Sequence, residues 1–238
     1  MLVPVGSGFV EALVNHFVQK SAALIEANGR RSMRAWTQRK LAHLLTSNLR
    51  IAGRDFRWLP SGSSVWQAGE TLWDCTQVEA LSWSAGRLPR VFAFDLPIPL
   101  IQTETDTRDA VSGNVRYSDT SVDICLLHST PEQYRSKTKR PVVVRDAELY
   151  IALGELKGGI DPAGADEHWK TANSHLGRIR RSFAALPSTP HLFFLGNAIE
   201  ASMAGEIWNQ LESGELANAA NLTDDRQTVS LVSWLCQL

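Results

Sequence analysis

Two patterns of apolar positions divide the chain into a first third and a remainder. In the first third, apolar side chains recur three or four positions apart over residues 8–28 and again over residues 32–52, which predicts two amphipathic helices. Gly53 ends the second helix, because glycine readily adopts the left-handed conformation that closes a helix. Residues 70–85 predict a third helix. Residues 1–88 are therefore expected to form a helical subdomain, which we expect to clamp DNA and to dimerise.

The remainder shows short apolar runs that alternate with longer amphipathic segments. Short apolar runs bounded by polar residues or glycine predict strands, and apolar positions three or four apart predict helices. The predicted strands are 91–94, 121–127, 141–144, 149–157 and 191–196. The predicted helices are 165–186, 198–212 and 227–238. Because alternating strands and helices are typical of an α/β domain, residues 89–238 are expected to form an α/β core.

Composition narrows the class of protein. With 44% hydrophobic and 21% charged residues among 238, the chain is able to bury a core. No apolar run reaches the roughly 18 residues that a membrane span needs, and residues 1–18 lack the basic start of a signal peptide. The three cysteines have unrelated spacings, which speaks against a disulfide framework or a zinc cluster. We expect a protein of a bacterial-type cytoplasm, without a membrane partner.

The charges are distributed unevenly although the net charge is only −1. Residues 1–60 hold nine Lys and Arg against three Asp and Glu, and residues 135–181 hold ten against six. If the fold brings these two basic segments onto one surface, they form a positive channel for a polyanion. The pI of about 6.6 lacks the strongly basic character of a general nucleic-acid binder. The charge distribution alone therefore leaves two interpretations open: a DNA-binding channel, or a variation of charge along the chain that has no function.

Two acids and a lysine in apolar strands are the main candidates for chemistry. Asp123 lies in the run SVDICLL, and Glu155 and Lys157 lie two residues apart in ALGELKGG, which places both on one face of a strand. A carboxylate in an apolar strand is costly unless a partner compensates it. A metal ion is one such partner, and the two carboxylates and the Leu156 carbonyl are hard oxygen ligands that suit Mg²⁺.

This set of residues fits the hydrolysis of a phosphodiester. The reaction needs a water activated near a metal and a cation, here Lys157, that stabilises the anionic transition state. An acid two residues before a lysine is common, and in isolation it is more often a surface salt bridge. The apolar surroundings of both strands favour the metal site. Asp119 lies four residues before Asp123 in the polar sequence YSDT, where it can be solvated, so Asp123 is expected to be the metal ligand.

The stretch that contains Glu-x-Lys has a close resemblance to a known family. Residues 154–181, GELKGGIDPAGADEHWKTANSHLGRIRR, resemble the AvaI/BsoBI family of type II restriction endonucleases. Residues 198–223, AIEASMAGEIWNQLESGELANAANLT, and residues 230–238, SLVSWLCQL, resemble it as well. The resemblance covers about 120 residues, from Val115 to Leu238. It implies a restriction-endonuclease-like core, in which helices flank a mixed central sheet.

The resemblance also implies an activity and its partners. A member of this family is expected to cut double-stranded DNA in a sequence-specific, Mg²⁺-dependent reaction, at a degenerate six-base site such as C-pyrimidine-C-G-purine-G. A homodimer suits a near-palindromic target, because two active sites are then related by a twofold axis. A cognate DNA methyltransferase that acts on the same site, without forming a stable complex, is expected to protect the host DNA.

Carried over by position, the resemblance assigns roles to five residues. It implies that Asp123 and Glu155 are metal ligands and that Lys157 is the catalytic lysine. Asp161 and His168 match two further positions of the active site. A histidine whose pKa lies near neutrality is chemically suited to act as a general base or to position the water, so His168 is expected to be catalytic.

Basic residues in two segments are expected to contact DNA phosphates, which dominate affinity without reading sequence. The residues that we expect to bind DNA are Asp161, Lys170, Arg178, Arg180, Arg181, Lys20, Arg31 and Arg34. Each basic side chain is alternatively part of a solvated face, and His175 is expected to be structural. A catalytically inactive DNA-binding protein on the same fold is the alternative function. It is disfavoured because Asp123, Glu155 and Lys157 are all present.

Overall fold

The fold is taken from a computed structural model of the chain. It describes residues 33–72, 74–100, 116–134, 146–158, 162–184, 186 and 189–238. The first helix, α1, covers residues 33–51. The strands are β1 (Phe56–Pro60), β2 (Gln67–Ala68), β3 (Val78–Ala85), β4 (Leu88–Leu100), β5 (Arg116–Leu127), β6 (Tyr150–Lys157), β7 (His191–Gly196) and β8 (Asn218–Asn221). The other helices are α2 (Pro162–Phe183), α3 (Ala201–Ser213) and α4 (Asp225–Gln237).

Within the described ranges, eight strands form one mixed sheet in the order β2-β1-β3-β4-β5-β6-β7-β8. Neighbouring strands from β2 to β6 are antiparallel, whereas β6, β7 and β8 are parallel. Parallel neighbours require a crossover connection, and α2 and α3 provide these two crossovers. The sheet therefore combines an antiparallel half with a parallel half, and β6 joins them.

Each face of the sheet carries its own hydrophobic core. The core on the α2 and α3 side includes Leu153, Trp169, Leu176, Phe183 and Phe194. The core on the α1 and α4 side includes Leu41, Leu45, Phe193, Leu235 and Leu156. Because successive side chains of a strand point to opposite faces, β6 contributes to both cores. A central strand that is buried on both sides has no polar face, which explains its nearly continuous apolar sequence.

The helix predicted over residues 70–85 is wrong. Val78–Ala85 form β3, which is buried along six of its eight residues and pairs with β1 and β4. A short apolar run that is buried on both faces shows no period that separates a strand from a helix. β8 was not predicted, because NAAN has no apolar pattern.

The first third of the chain begins as a helix and then joins the sheet. α1 lies within the helix predicted over residues 32–52, whereas residues 56–85 add three strands to the sheet of the core. The expected boundary after residue 88 falls at the start of β4, whose first residue, Leu88, pairs with Ala85 of β3. The division into two domains, with a clamping role for residues 1–88, stays a prediction.

The α/β class with a mixed sheet and flanking helices is confirmed. The strands predicted at 91–94, 121–127, 149–157 and 191–196 lie within, or overlap with, β4, β5, β6 and β7. The helix predicted over residues 8–28 and the strand predicted at 141–144 fall outside the described residues. In the part of the chain that is described, no helix has both the length and the apolar character that crossing a bilayer requires.

Candidate active site

The two candidate metal ligands lie side by side on neighbouring central strands. The pairing of β5 with β6 matches Ile124 with Gly154, so Asp123 and Glu155 occupy the next position of the two strands. Asp123 is 6% exposed and Glu155 is 2% exposed. Gly154 leaves room for Phe193 of the neighbouring strand β7, because a Cβ atom at that position would lie 2.3 Å from the Phe193 ring. The fold thus buries two carboxylates next to each other.

Lys157 and the backbone of β6 compensate part of the charge of this pair. The Lys157 ammonium donates to Glu155 Oε2 at 2.7 Å and lies 3.7 Å from Asp123 Oδ2. The backbone N–H of Leu156 donates to Asp123 Oδ2 at 2.9 Å. The i, i+2 spacing on β6 therefore places the lysine beside both carboxylates, on the face that packs against α2.

His175 also belongs to this site, although the sequence suggested a structural role. It is 7% exposed, and its Nδ1 lies 2.6 Å from Glu155 Oε1. Because a carboxylate only accepts hydrogen bonds, His175 is the donor to the ionised form of Glu155. Both oxygens of Glu155 then have a donor, one from α2 and one from its own strand. The sequence contained one indication of this role: His175 follows His168 by two helical turns and shares its face of the helix.

The two carboxyl groups differ in their affinity for a proton. Burial raises the pKa of Asp123, and the neighbouring charge of Glu155 raises it further. Burial acts in the same direction on Glu155, but the hydrogen bond from His175 and the ammonium of Lys157 outweigh it, so the pKa of Glu155 is lowered. Glu155 therefore loses its proton more readily than Asp123.

Arg34 reaches this site from α1. Its Nη2 contacts the carboxylates of both Asp95 and Asp123. Asp95 lies on β4 and also accepts a hydrogen bond from Gln38 Nε2 at 3.1 Å. The sequence predicted Arg34 as a DNA contact and overlooked Asp95, although an acid inside the apolar run VFAFDLP is the same signal that singled out Asp123.

The donor set fits a hard divalent cation. Among the described residues, no group of three or more His, Cys, Asp or Glu side chains is arranged to hold a metal. The two buried carboxylates and the Leu156 carbonyl are instead a small set of oxygen ligands. Mg²⁺ usually keeps several waters and is bound through one or two carboxylates. Mg²⁺ therefore suits this site better than a metal that needs a complete cage of protein ligands.

His168 lies on the same helix as His175 but nearer to its start. The separation of seven positions corresponds to about 10 Å along the helix axis. His168 is partly exposed, whereas His175 is buried. The position of His168 is thus beyond the carboxylates, toward the start of α2 at Pro162.

The other residues expected to bind DNA are spread over the surface or fall outside the described ranges. Lys170 forms an ion pair with Asp166 one turn earlier, and Arg180 donates to the carbonyl of Glu215 at 3.0 Å. Arg178 and Arg181 are exposed. The residues outside the described ranges are Lys20, Arg31 and Asp161. The structure therefore brings Arg34 to the carboxylates but shows no such contact for Lys170 or Arg180.

Comparison with known proteins identifies the family. The family model described as restriction endonuclease BsobI matches residues 1–238. The chain belongs to this family of restriction endonucleases. It is 38% identical over 241 residues to the type II restriction enzyme AvaI of Nostoc sp. and of Anabaena variabilis, an alignment that covers 100% of this chain and 69% of each relative. It is 36% identical over 246 residues to the type II restriction enzyme BsoBI of Geobacillus stearothermophilus, with 100% and 68% covered.

Family membership confirms the resemblance and the enzyme class that it implies. The match extends over the whole chain, including residues 1–114, which the resemblance did not cover. The stretch 154–181 that pointed to the family contains Glu155 and Lys157, which meet in the buried charged site. The restriction-endonuclease class and the buried charged site therefore rest on independent observations.

Proposed function

We propose that this enzyme is a type II restriction endonuclease that cuts double-stranded DNA at a specific sequence and requires Mg²⁺. The observation that carries the proposal is the pair of adjacent buried carboxylates, Asp123 and Glu155, with the Lys157 ammonium beside both. Burying two acids costs free energy unless cations compensate them. A site that keeps them together next to a lysine is suited to phosphodiester hydrolysis, and the relatives named AvaI and BsoBI are type II restriction enzymes.

Each residue of the site has a role in this proposal. Asp123, Glu155 and the Leu156 carbonyl would hold Mg²⁺, which lowers the pKa of a bound water and offsets charge on the phosphate. Lys157 donates to an oxygen of the phosphate or to the attacking water and stabilises the negative charge that develops there. His175 fixes the orientation of Glu155 from α2. His168, nearer the start of α2, accepts the proton of the water or positions it.

The remaining partners follow from the same proposal. Lys170, Arg178, Arg180 and Arg181 on α2, together with Lys20, Arg31 and Asp161, are proposed to contact the DNA. We propose a homodimer, because two identical sites suit a near-palindromic target. We also propose a degenerate recognition site such as C-pyrimidine-C-G-purine-G. The proposal further includes a separate methyltransferase for the same sequence and a cytoplasmic location.

Digestion of phage DNA tests the proposal. We expect discrete fragments in Mg²⁺ and none after addition of EDTA, and sequencing of the fragment ends gives the recognition site. Glu155→Gln is the matched control, because it removes one negative charge and changes the side-chain volume little. A gel shift without cutting in Mg²⁺ would favour the alternative, an inactive DNA-binding protein. The absence of both cutting and a gel shift would contradict both functions.

A further inference from the structure

We propose that the guanidinium of Arg34, oriented by Asp95, binds the carboxylate of Asp123 in the metal-free protein. It then competes with the divalent cation for that carboxylate. The inference rests on the proposed function, since it assigns Asp123 to the metal. Three features of the described residues support it. They are the contact of the guanidinium with Asp123, the second contact with Asp95 and the packing that holds α1 in place.

Among the described residues, the guanidinium contacts the oxygen of Asp123 that accepts no backbone hydrogen bond. Asp123 Oδ2 accepts the backbone N–H of Leu156 and faces the Lys157 ammonium. Arg34 contacts the other oxygen, Oδ1. The Leu156 N–H is fixed in β6, whereas the side chain of Arg34 is 44% exposed. Arg34 is therefore the partner of Asp123 that is able to move when another cation arrives.

Asp95 provides the second point of attachment for Arg34. Asp95 has a φ of 57°, a left-handed backbone conformation that is rare outside glycine. It lies opposite Asp123, between the pairs Phe94 with Ile124 and Leu96 with Val122. At this position the Asp95 carboxylate meets Arg34 and accepts a hydrogen bond from Gln38. Strained residues of this kind persist where the surroundings fix them, and they are frequent at functional sites.

The packing of α1 keeps Arg34 at the site. Gly158 follows Lys157 directly, and a Cβ atom on Gly158 would lie 2.9 Å from Thr37 Oγ1 and 3.3 Å from the Met33 backbone. Arg34 lies between these two contact residues on the helix. The helix therefore touches the end of β6, and the position of Arg34 relative to the carboxylates is set by backbone contact as well as by charge.

The consequence is an exchange of cations on Asp123. Without metal, the guanidinium offsets the repulsion between two neighbouring carboxyl groups. With metal on Asp123, Arg34 keeps its contact with Asp95 and has N–H donors free at the exposed side of the site. An arginine has five such donors and is well suited to phosphate. Metal binding would thus make the guanidinium of Arg34 available to a DNA phosphate.

Binding of Mn²⁺ tests the inference, because Mn²⁺ accepts the same oxygen ligands as Mg²⁺ and free Mn²⁺ is measured by electron paramagnetic resonance. We expect Arg34→Ala to bind Mn²⁺ about fivefold more tightly, the effect of removing a partly exposed ion pair. Asp95→Asn, which tolerates the left-handed backbone, is expected to tighten binding by a smaller factor. The double variant is expected to match Arg34→Ala, because both changes act on one contact.

Two further variants make the result decisive. Arg39→Ala removes an exposed arginine from the same helix, and its affinity for Mn²⁺ is expected to equal that of the wild type. Arg34→Lys keeps the charge but not the double contact, so its affinity is expected to be intermediate, and it replaces Arg34→Ala if that variant does not fold. Unchanged or weaker binding in both Arg34 variants would overturn the inference.

Glu155→Gln separates this result from the fate of the proposed function. If the wild type binds Mn²⁺, Glu155→Gln does not, and the Arg34 variants equal the wild type, the proposed function stands and only the inference is overturned. If the wild type and all variants fail to bind Mn²⁺, the metal-dependent function is contradicted, and the inference with it.

Discussion

At the scale of single residues, Glu155 shows how a buried acid is kept ionised. Its two oxygens accept hydrogen bonds from His175 and Lys157, at 2.6 Å and 2.7 Å. Hydrogen bonds to a charged group are about twice as strong as those between neutral groups. These two contacts outweigh the effect of burial, which would otherwise raise the pKa of Glu155. The carboxylate is therefore ready for a metal, and its orientation is fixed from two sides.

We predict that Glu155→Gln and Lys157→Ala abolish cleavage and leave DNA binding largely intact. Both side chains act on charge within the buried site and not on the surface of α2. Removing one such electrostatic group typically lowers the rate by roughly 10²–10³. Single-turnover cleavage and gel shifts in Ca²⁺ measure the two properties. Cleavage by Lys157→Ala at the wild-type rate would show that the site is assigned incorrectly.

We predict different effects for the two histidines of α2. His175→Ala removes a donor from a buried carboxylate, which typically costs about 1–3 kcal/mol, so both metal affinity and cleavage rate are expected to fall. His175→Gln keeps an N–H donor and is expected to restore part of both. His168→Ala is expected to slow cleavage with metal affinity unchanged. Equal metal affinity in His175→Ala and the wild type would show that His175 does not position Glu155.

At the scale of elements, the site depends on how α1 and α2 meet β6 from opposite faces of the sheet. α2 contributes His175 from one side, and α1 contributes Arg34 from the other. α2 is also tied to α3, since Trp169 Nε1 donates to Glu206 Oε2 at 2.7 Å. Asn197, which follows β7, donates to the Gly158 carbonyl at 2.8 Å and anchors the segment after β6. These contacts fix the positions of the segment after β6 and of α2, on which the geometry of the carboxylates depends.

We predict that Gly158→Ala destabilises the protein and weakens cleavage. The new Cβ atom would press on Thr37 and on the Met33 backbone, and overpacking of this kind typically costs about 1–3 kcal/mol. Gly205→Ala on α3 is the matched control, because nothing lies within 4 Å of its Cβ position. It is expected to raise stability by about 0.4–1 kcal/mol. Urea unfolding of both variants measures the difference, and equal stability of Gly158→Ala and the wild type would contradict the close contact.

At the scale of the whole molecule, the charged site lies where the antiparallel and parallel halves of the sheet join. β6 pairs antiparallel with β5 and parallel with β7. Both faces of β6 are covered, so the strand that carries Glu155 and Lys157 lies between two cores. A ligand that binds only the folded arrangement therefore stabilises the entire fold.

We predict that Mg²⁺ raises the melting temperature of the wild type. At about 100 times the dissociation constant, binding adds about 2.7 kcal/mol to the free energy of unfolding, or about 5–10 °C for a domain of this size. Asp123→Asn is expected to lose this effect, whereas Asp119→Asn, four residues earlier, is expected to keep it. Loss of the effect in Asp119→Asn alone would reverse the assignment of the metal ligand. Differential scanning calorimetry measures all three proteins.

The sequence by itself determined the α/β class, the central strands β5, β6 and β7, and the grouping of Asp123, Glu155 and Lys157. These follow from local rules, because an acid in an apolar run and an i, i+2 spacing on a strand are visible without knowing what packs nearby. It also determined the family, through the block that begins at Glu155.

Only the tertiary structure decided which residues join that group from a distance. Arg34 and Asp95 lie 61 residues apart, and His175 lies 20 residues after Glu155. Their contacts depend on strand order and on the faces that α1 and α2 bury, which no local pattern encodes. The same reason explains the error at β3, because burial on both faces removes the polar alternation that marks a strand in sequence.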